Sequence, residues 1–238
     1  MGISTTAQRL AGLLISGLLS VSGISGASAA TIKFEADIVA VGGLLQPITT
    51  TNPFGHKLTG RITYDRKTPL TQLDSTFGYY QNAVTGLSLT IEPLGMTWTG
   101  SGPGYLSILN DRDMNGQVVD RFTIGSVPIV GPTTGAAGVT MYPSFFAMSL
   151  IDHEHTVFDS LALPTDLDLS LFEGRVATSE FWGVIPDPNA PFGFRTVKQI
   201  VDTRFTSLEL VSVPEPTTLA MLGIGLAGLG LARWKRAA

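Results

Sequence analysis

Between Thr31 and Val213 apolar side chains recur at every second position, in short runs broken by Gly and Pro. No window of that region keeps a 3.6-residue apolar stripe for three turns, so it has no amphipathic helix to offer. A strand turns successive side chains to opposite faces, and alternation of this kind is what a half-buried sheet requires. Thr31 to Val41 sets Ile32, Phe34, Ala36 and Ile38 against Lys33, Glu35 and Asp37, and Gly42-Gly43 ends the run. Leu58 to Tyr64, Leu87 to Ile91, Tyr105 to Leu109, Val118 to Ile124, Phe145 to Ile151, Leu167 to Phe172 and Phe205 to Val211 read the same way. Ile129 to Gly138 and Pro186 to Phe194 read as loops within one domain, because strand patterns resume on both sides. The expected fold is all-β, a β-sandwich or jelly-roll-like ectodomain over residues 31–213.

That domain carries 11 basic and 18 acidic side chains. An acidic surface has no electrostatic footprint for a phosphate backbone, so nucleic acid is not an expected partner. The chain has no Cys, which removes disulfides, thiolate-bound zinc, thiol catalysis and iron–sulfur clusters together.

The two ends read as addresses. Residues 1–30 have the three parts of a secretory signal peptide, in order. Arg9 supplies the positive charge, Leu10 to Val21 the apolar stretch, and Ala27-Ser28-Ala29 the small residues that a signal peptidase reads, with Ala30 as the alternative last residue. Residues 214–238 begin with Pro214-Glu215-Pro216, which neither a helix interior nor a central strand accommodates. The uncharged run Thr217 to Ala232 follows, 16 residues long, or about 24 Å of helix at ~1.5 Å per residue. Arg233, Lys235 and Arg236 close the chain around Trp234. Snorkelling of those basic side chains supplies the length that a single transmembrane helix needs, and the positive-inside rule holds them on the cytoplasmic side. A signal peptide at the start predicts the same orientation, with the middle domain outside.

Pro-Glu-Pro, a Gly/Leu-rich apolar helix and a terminal basic cluster together resemble the PEP-CTERM sorting signal. The resemblance covers about 25 residues at the end of the chain. It implies export in an exopolysaccharide-producing Gram-negative bacterium and transient anchoring in the inner membrane. An exosortase then reads Pro214, Glu215 and Pro216, and the product reaches the cell surface or the medium. Leu58 to Asp65 and Leu163 to Phe172 also resemble middle domains often attached to this signal, which mostly lack an assigned activity. The role so implied is structural or adhesive within a biofilm or exopolysaccharide matrix. A glycan-binding module and a secreted hydrolase are the alternatives.

Within the domain, each candidate site competes with a plainer reading. Asp111-x-Asp113-x-Asn115-Gly116 matches the first half of a calcium loop, and Asp120 is the substitute for the missing bidentate glutamate. The same residues make a solvated hairpin turn for backbone reasons alone, and the flanking strand patterns favour that. His153 and His155 share a face if extended, with His56 or Asp159 as a distant third metal ligand; a polar turn is the preferred reading. Asp166 and Asp168 are spaced like a glycosidase pair on one strand face, yet alternation with Leu167, Leu169 and Leu171 makes them a wet face. No nucleophile elbow occurs, and Gly100-Ser101-Gly102-Pro103-Gly104 lacks the Lys and helix of a phosphate loop. No catalytic residue is assigned, no enzyme activity is expected, and calcium is the one cofactor the pattern raises. Tyr79, Tyr80, Trp98, Phe145, Phe146, Phe181, Trp182 and Phe192 form either the core or a sugar-stacking platform, which sequence alone does not separate.

Overall fold

The computed structural model describes residues 29–50 and 53–213. Ten strands fill most of that span: β1 (Ala29–Val41), β2 (Lys57–Asp65), β3 (Thr71–Asp74), β4 (Phe77–Glu92) and β5 (Met96–Gly100), then β6 (Gly104–Asp113), β7 (Val118–Val130), β8 (Met141–Asp152), β9 (Gly174–Pro186) and β10 (Phe194–Val213). The described residues contain no α-helix, only three short 3-10 turns. The all-β expectation therefore holds. The signal peptide up to residue 28 and the whole C-terminal segment from Pro214 lie outside the described residues.

All ten strands belong to one antiparallel sheet. Its ladders run β1–β2–β4–β6–β7–β8–β9–β10 and return to β1, so the sheet closes on itself. β2 and β3 lie in one line along one flank of β4, and β5 and β6 share the other flank before β7. The result is a meander in which strands adjacent in sequence are adjacent in space, without the crossover of a jelly roll. Closure removes the open edges that a sheet of this size would otherwise expose.

Inward positions follow the alternation. Ile32, Phe34, Ala36 and Ile38 of β1 are buried, and so are Leu58, Ile62 and Tyr64 of β2. The interior is filled by rings reaching across it. Phe34 stacks on Phe146 of β8 with centroids 5.9 Å apart and meets the edge of Phe205 of β10 at 5.1 Å. Trp98 of β5 meets Phe181 of β9 at 5.6 Å, edge to face. Trp98 also donates its indole N–H to the carbonyl of Pro132 at 3.0 Å, so its one polar atom is satisfied while the ring is only 2% exposed. Phe34 finds room because Gly60 sits directly opposite it on β2; a Cβ there would overlap the ring and lie 2.9 Å from the Ser88 carbonyl oxygen.

One strand assignment is corrected, and three strands, β3, β5 and β9, lie outside the runs that alternation marks. Leu167 to Phe172 alternates, but the segment is a loop containing the 3-10 turn Leu169–Leu171. Asp168 caps that turn, accepting the Ser170 amide at 2.8 Å and its hydroxyl at 2.7 Å, while Asp166 accepts the Leu167 amide at 2.9 Å. Such local side-chain bonds compete with a ladder, and here they win. Asp166 and Asp168 are thus turn-forming groups rather than the wet face of a strand. Leu167 and Phe172 are nevertheless buried, so the alternation reports burial correctly and the element wrongly. Conversely, β9 is a full strand at Gly174–Pro186 that the alternation does not reveal.

Removing the central ring tests this packing. Phe34→Ala should lower the unfolding free energy by about 3–5 kcal/mol, as for large aromatic truncations in a core. Gly60→Val should also destabilise, by driving a side chain into the same ring. Urea denaturation followed by tryptophan fluorescence checks both, and a midpoint unchanged in either variant contradicts the account.

Candidate functional site

Three places on this scaffold concentrate polar or exposed chemistry. The first is the seam where the sheet closes. β10 pairs with β1 from Val201 opposite Val41 to Val213 opposite Ala29. The first described residue is therefore hydrogen-bonded into the same ladder as the last. Ala30, beside the predicted signal-peptidase site, is already buried within that ladder. The residue after Val213 is Pro214, which has no amide hydrogen to extend a ladder. Pro214, Glu215, Pro216 and the basic Arg233, Lys235 and Arg236 lie outside the described residues.

The second place gathers both metal candidates. Asp120 on β7 and Asp152 on β8 are register partners, 0% and 1% exposed. They anchor the long β8–β9 loop. Asp120 accepts the amides of Asp111 at 2.8 Å, Val157 at 3.0 Å and Phe158 at 2.8 Å. Asp152 accepts those of Glu154 at 2.7 Å, Thr156 at 2.7 Å and Val157 at 3.2 Å. Burial pushes the Asp152 carboxyl up, but the combined donors from Thr156, Glu154 and Val157 outweigh it and hold the group below the ordinary carboxylate range. Asp113 accepts the Gly116 amide at 2.6 Å, closing the β6–β7 hairpin, and Asn115 takes a positive φ of 60° within it. His155 Nδ1 meets Asp111 Oδ1 at 3.0 Å, while His153 is exposed and His56 is buried elsewhere. The structure thus brings the two sequence motifs side by side, with Asp113 Oδ1 and both oxygens of Asp120 accepting backbone amides. Among the described residues no three His, Asp or Glu form a group able to hold a metal ion.

The third place is the outer face of β7, β8 and β9. Trp98, Tyr80, Phe146 and Phe181 are core, whereas Trp182 is 43% exposed and sits beside the exposed Tyr142, its register partner on β8. The indole N–H of Trp182 donates to Glu180, an outward carboxylate buried beneath it that also pairs with Lys198 of β10. Val184 extends the apolar strip, and Phe192 and Phe194 meet at 6.3 Å where the β9–β10 turn enters β10. Farther along the same face lies an open groove of about 330 Å³. Arg121 and Thr123 of β7, Ser149 of β8 and Tyr105 of β6 line it. Arg121 Nε, Thr123 Oγ1 and Ser149 Oγ have no hydrogen-bond partner among the described residues. Burial pulls the Arg121 guanidinium below its ordinary value, opposed by Tyr105 and reinforced by Arg112. The alternation marks Arg121 only as an outward residue; nothing local in sequence distinguishes it.

These features define an all-β domain whose last strand runs directly into the C-terminal segment. Residues 212–236 match the PEP-CTERM protein-sorting motif, so the motif's first two residues, Ser212 and Val213, are the last two of β10. The motif implies an exosortase-sorted protein that is exported and sorted to the cell surface. No curated protein and no solved structure matches the chain.

The anchored loop carries a pH dependence. Asp74 is held down to about 2 by the Thr76 amide and hydroxyl and by Arg112, in the same sense as Asp152. A carboxyl depressed in the folded state contributes stability above its unfolded pKa, here near 3.8, and loses it as pH falls through the folded value. The melting temperature should therefore hold from neutral pH down to about 4 and fall below it. Asp152→Asn should melt lower at pH 7 and show a shallower acid slope. Asp120→Ala removes the acceptor of the Asp111 and Phe158 amides while the Val157 amide keeps Asp152, so it should cost about 1–3 kcal/mol. Equal pH slopes in wild type and Asp152→Asn would sink this reading.

Proposed function

We propose that the mature domain is a structural or adhesive component of an exopolysaccharide matrix, without a catalytic role of its own. Signal peptidase releases it at the start and exosortase processes it at Pro214-Glu215-Pro216. The observation that carries the adhesive part is the exposed aromatic strip on β8 and β9, with the orientation of Trp182 fixed by Glu180. Side chains fill the interior of the sheet, so contact with other molecules falls to its outside. An indole half-exposed and held in one rotamer offers apolar area at little further entropic cost, the feature that favours aromatic residues at contact surfaces.

A glycan-binding module is the second reading, favoured by Trp182 and Tyr142 lying side by side as a flat surface. Trp98 does not belong to such a surface, because it is buried.

Sorting and adhesion are tested separately. With one epitope in the Ile129–Gly138 loop and another after Ala238, the loop epitope should reach the outer fraction without the C-terminal one. Changing Pro214, Glu215 and Pro216 to alanine should stop that. Both epitopes remaining together in the inner membrane in either case would reduce the tail to an anchor. In a strain whose sorting is intact, Trp182→Ala should lower retention in the matrix several-fold while leaving the melting temperature within about 1 °C, as for an exposed substitution. Unchanged retention removes the strip from the adhesive role.

A further inference from the structure

We propose that the groove around Arg121 is a binding site for the carboxylate of an acidic sugar, and hence that the partner of this face is a uronic-acid-containing polysaccharide. The proposal rests on the reading of the protein as a matrix component, and it names the chemistry of the partner. Four outward side chains converge there. Arg121 and Thr123 are two apart on β7 and share its outer face, Ser149 is the register partner of Thr123 on β8, and Thr178 continues the same surface on β9. Tyr105 closes one end with its ring lying over Gly125, the next outward position of β7, where any Cβ would collide with it.

The hydrogen bonding in the groove is incomplete in one direction. Arg121 Nε, Thr123 Oγ1 and Ser149 Oγ are all shielded from solvent and all unpartnered among the described residues. Buried polar atoms are nearly always satisfied by protein, ordered water or ligand, and a single ligand seated in this groove would satisfy all three together. Among the described residues Arg121 makes no ion pair, although the domain is acidic, and no carboxylate lines the groove; nearby Arg112 is paired with Asp74 at 2.6 Å. The missing partner is therefore an anion with hydroxyl groups beside it. A guanidinium fork matches a planar carboxylate, and two side-chain hydroxyls match ring hydroxyls. The groove volume of about 330 Å³ is at the small end of ligand sites, the scale of one or two sugar units rather than a folded partner. The surface continues along β9 to Trp182, so a polymer held at Arg121 is led onto the aromatic strip.

The test uses the full chain in nonionic detergent, titrated calorimetrically with polygalacturonate, with neutral dextran, and with galacturonate and inorganic phosphate as competitors. Polygalacturonate should bind and dextran should not, and galacturonate should compete better than phosphate. Arg121→Gln should weaken binding by about 10- to 100-fold, the loss of a charge-assisted hydrogen bond, without lowering the melting temperature. Thr123→Val and Ser149→Ala should weaken binding while leaving stability equal or higher, since each removes an orphaned hydroxyl; a merely structural role would not separate the two readouts. Equal binding of dextran, or Arg121→Gln binding like wild type, overturns the site. Phosphate competing as well as galacturonate overturns the sugar assignment. All these outcomes are independent of where the tagged chain fractionates, so failure here leaves the sorting result standing and the reverse.

Discussion

The ladder between β1 and β10 is the constraint on which the rest depends. It joins the first described residue to the last, Ala29 to Val213, and turns a meander into a closed sheet. Without it β1 keeps β2 on one flank only, and a row of backbone donors and acceptors is left open. The aromatic packing across the interior also needs it, because Phe34 reaches β1's contribution toward Phe205 of β10. Contacts of such sequence separation carry a large loop-closure cost. The fold is therefore complete only when its last strand is in place, and the sorting motif begins inside that strand.

The sheet was legible in the sequence wherever inward residues are apolar and outward ones polar. β1 meets that condition along most of its length, and its pattern gave the correct face for Ile32, Phe34, Ala36 and Ile38. β9 inverts it. Its inward positions include Ala177, Ser179 and Gly183, and its outward ones Val176, Trp182 and Val184. A strand with small or polar residues inside and apolar residues outside gives no readable alternation, whatever its hydrogen bonding. The segment Leu167 to Phe172 fails in the opposite way. Its leucines are buried in part, but Asp168 and Ser170 satisfy the backbone locally and no ladder forms.

The same physics decides which functional residues could be read. The sorting tail is contiguous and its chemistry depends on order along the chain, so sequence suffices for it. The Asp111–Gly116 turn has the composition of a calcium loop because both structures need oxygens and a left-handed residue, and composition alone does not separate them. Asp120 lies on the inward side of β7 among apolar neighbours, a position that alternation marks as an error and that long-range amides from Val157 and Phe158 explain. Trp98 and Trp182 are equivalent in sequence and opposite in structure, since one finds the Pro132 carbonyl in the core and the other Glu180 on the surface.

A filled interior also shapes how this fold can act. Closed antiparallel sheets that hold a ligand inside leave the lumen partly empty, whereas here Phe34, Phe146, Phe205, Trp98 and Phe181 occupy it. Recognition then has to be built on the outer face of a sheet, where residues of one strand lie about 7 Å apart at every second position. Such a surface is long and shallow, and it suits an extended polymer better than a compact small molecule. The outward residues of β9 from Val176 to Val184 run in one line past the Arg121 groove to Trp182. Charge, hydroxyls and aromatic area are thus arranged in sequence along one strand direction, the geometry in which many weak contacts to a repeating chain add through multivalency.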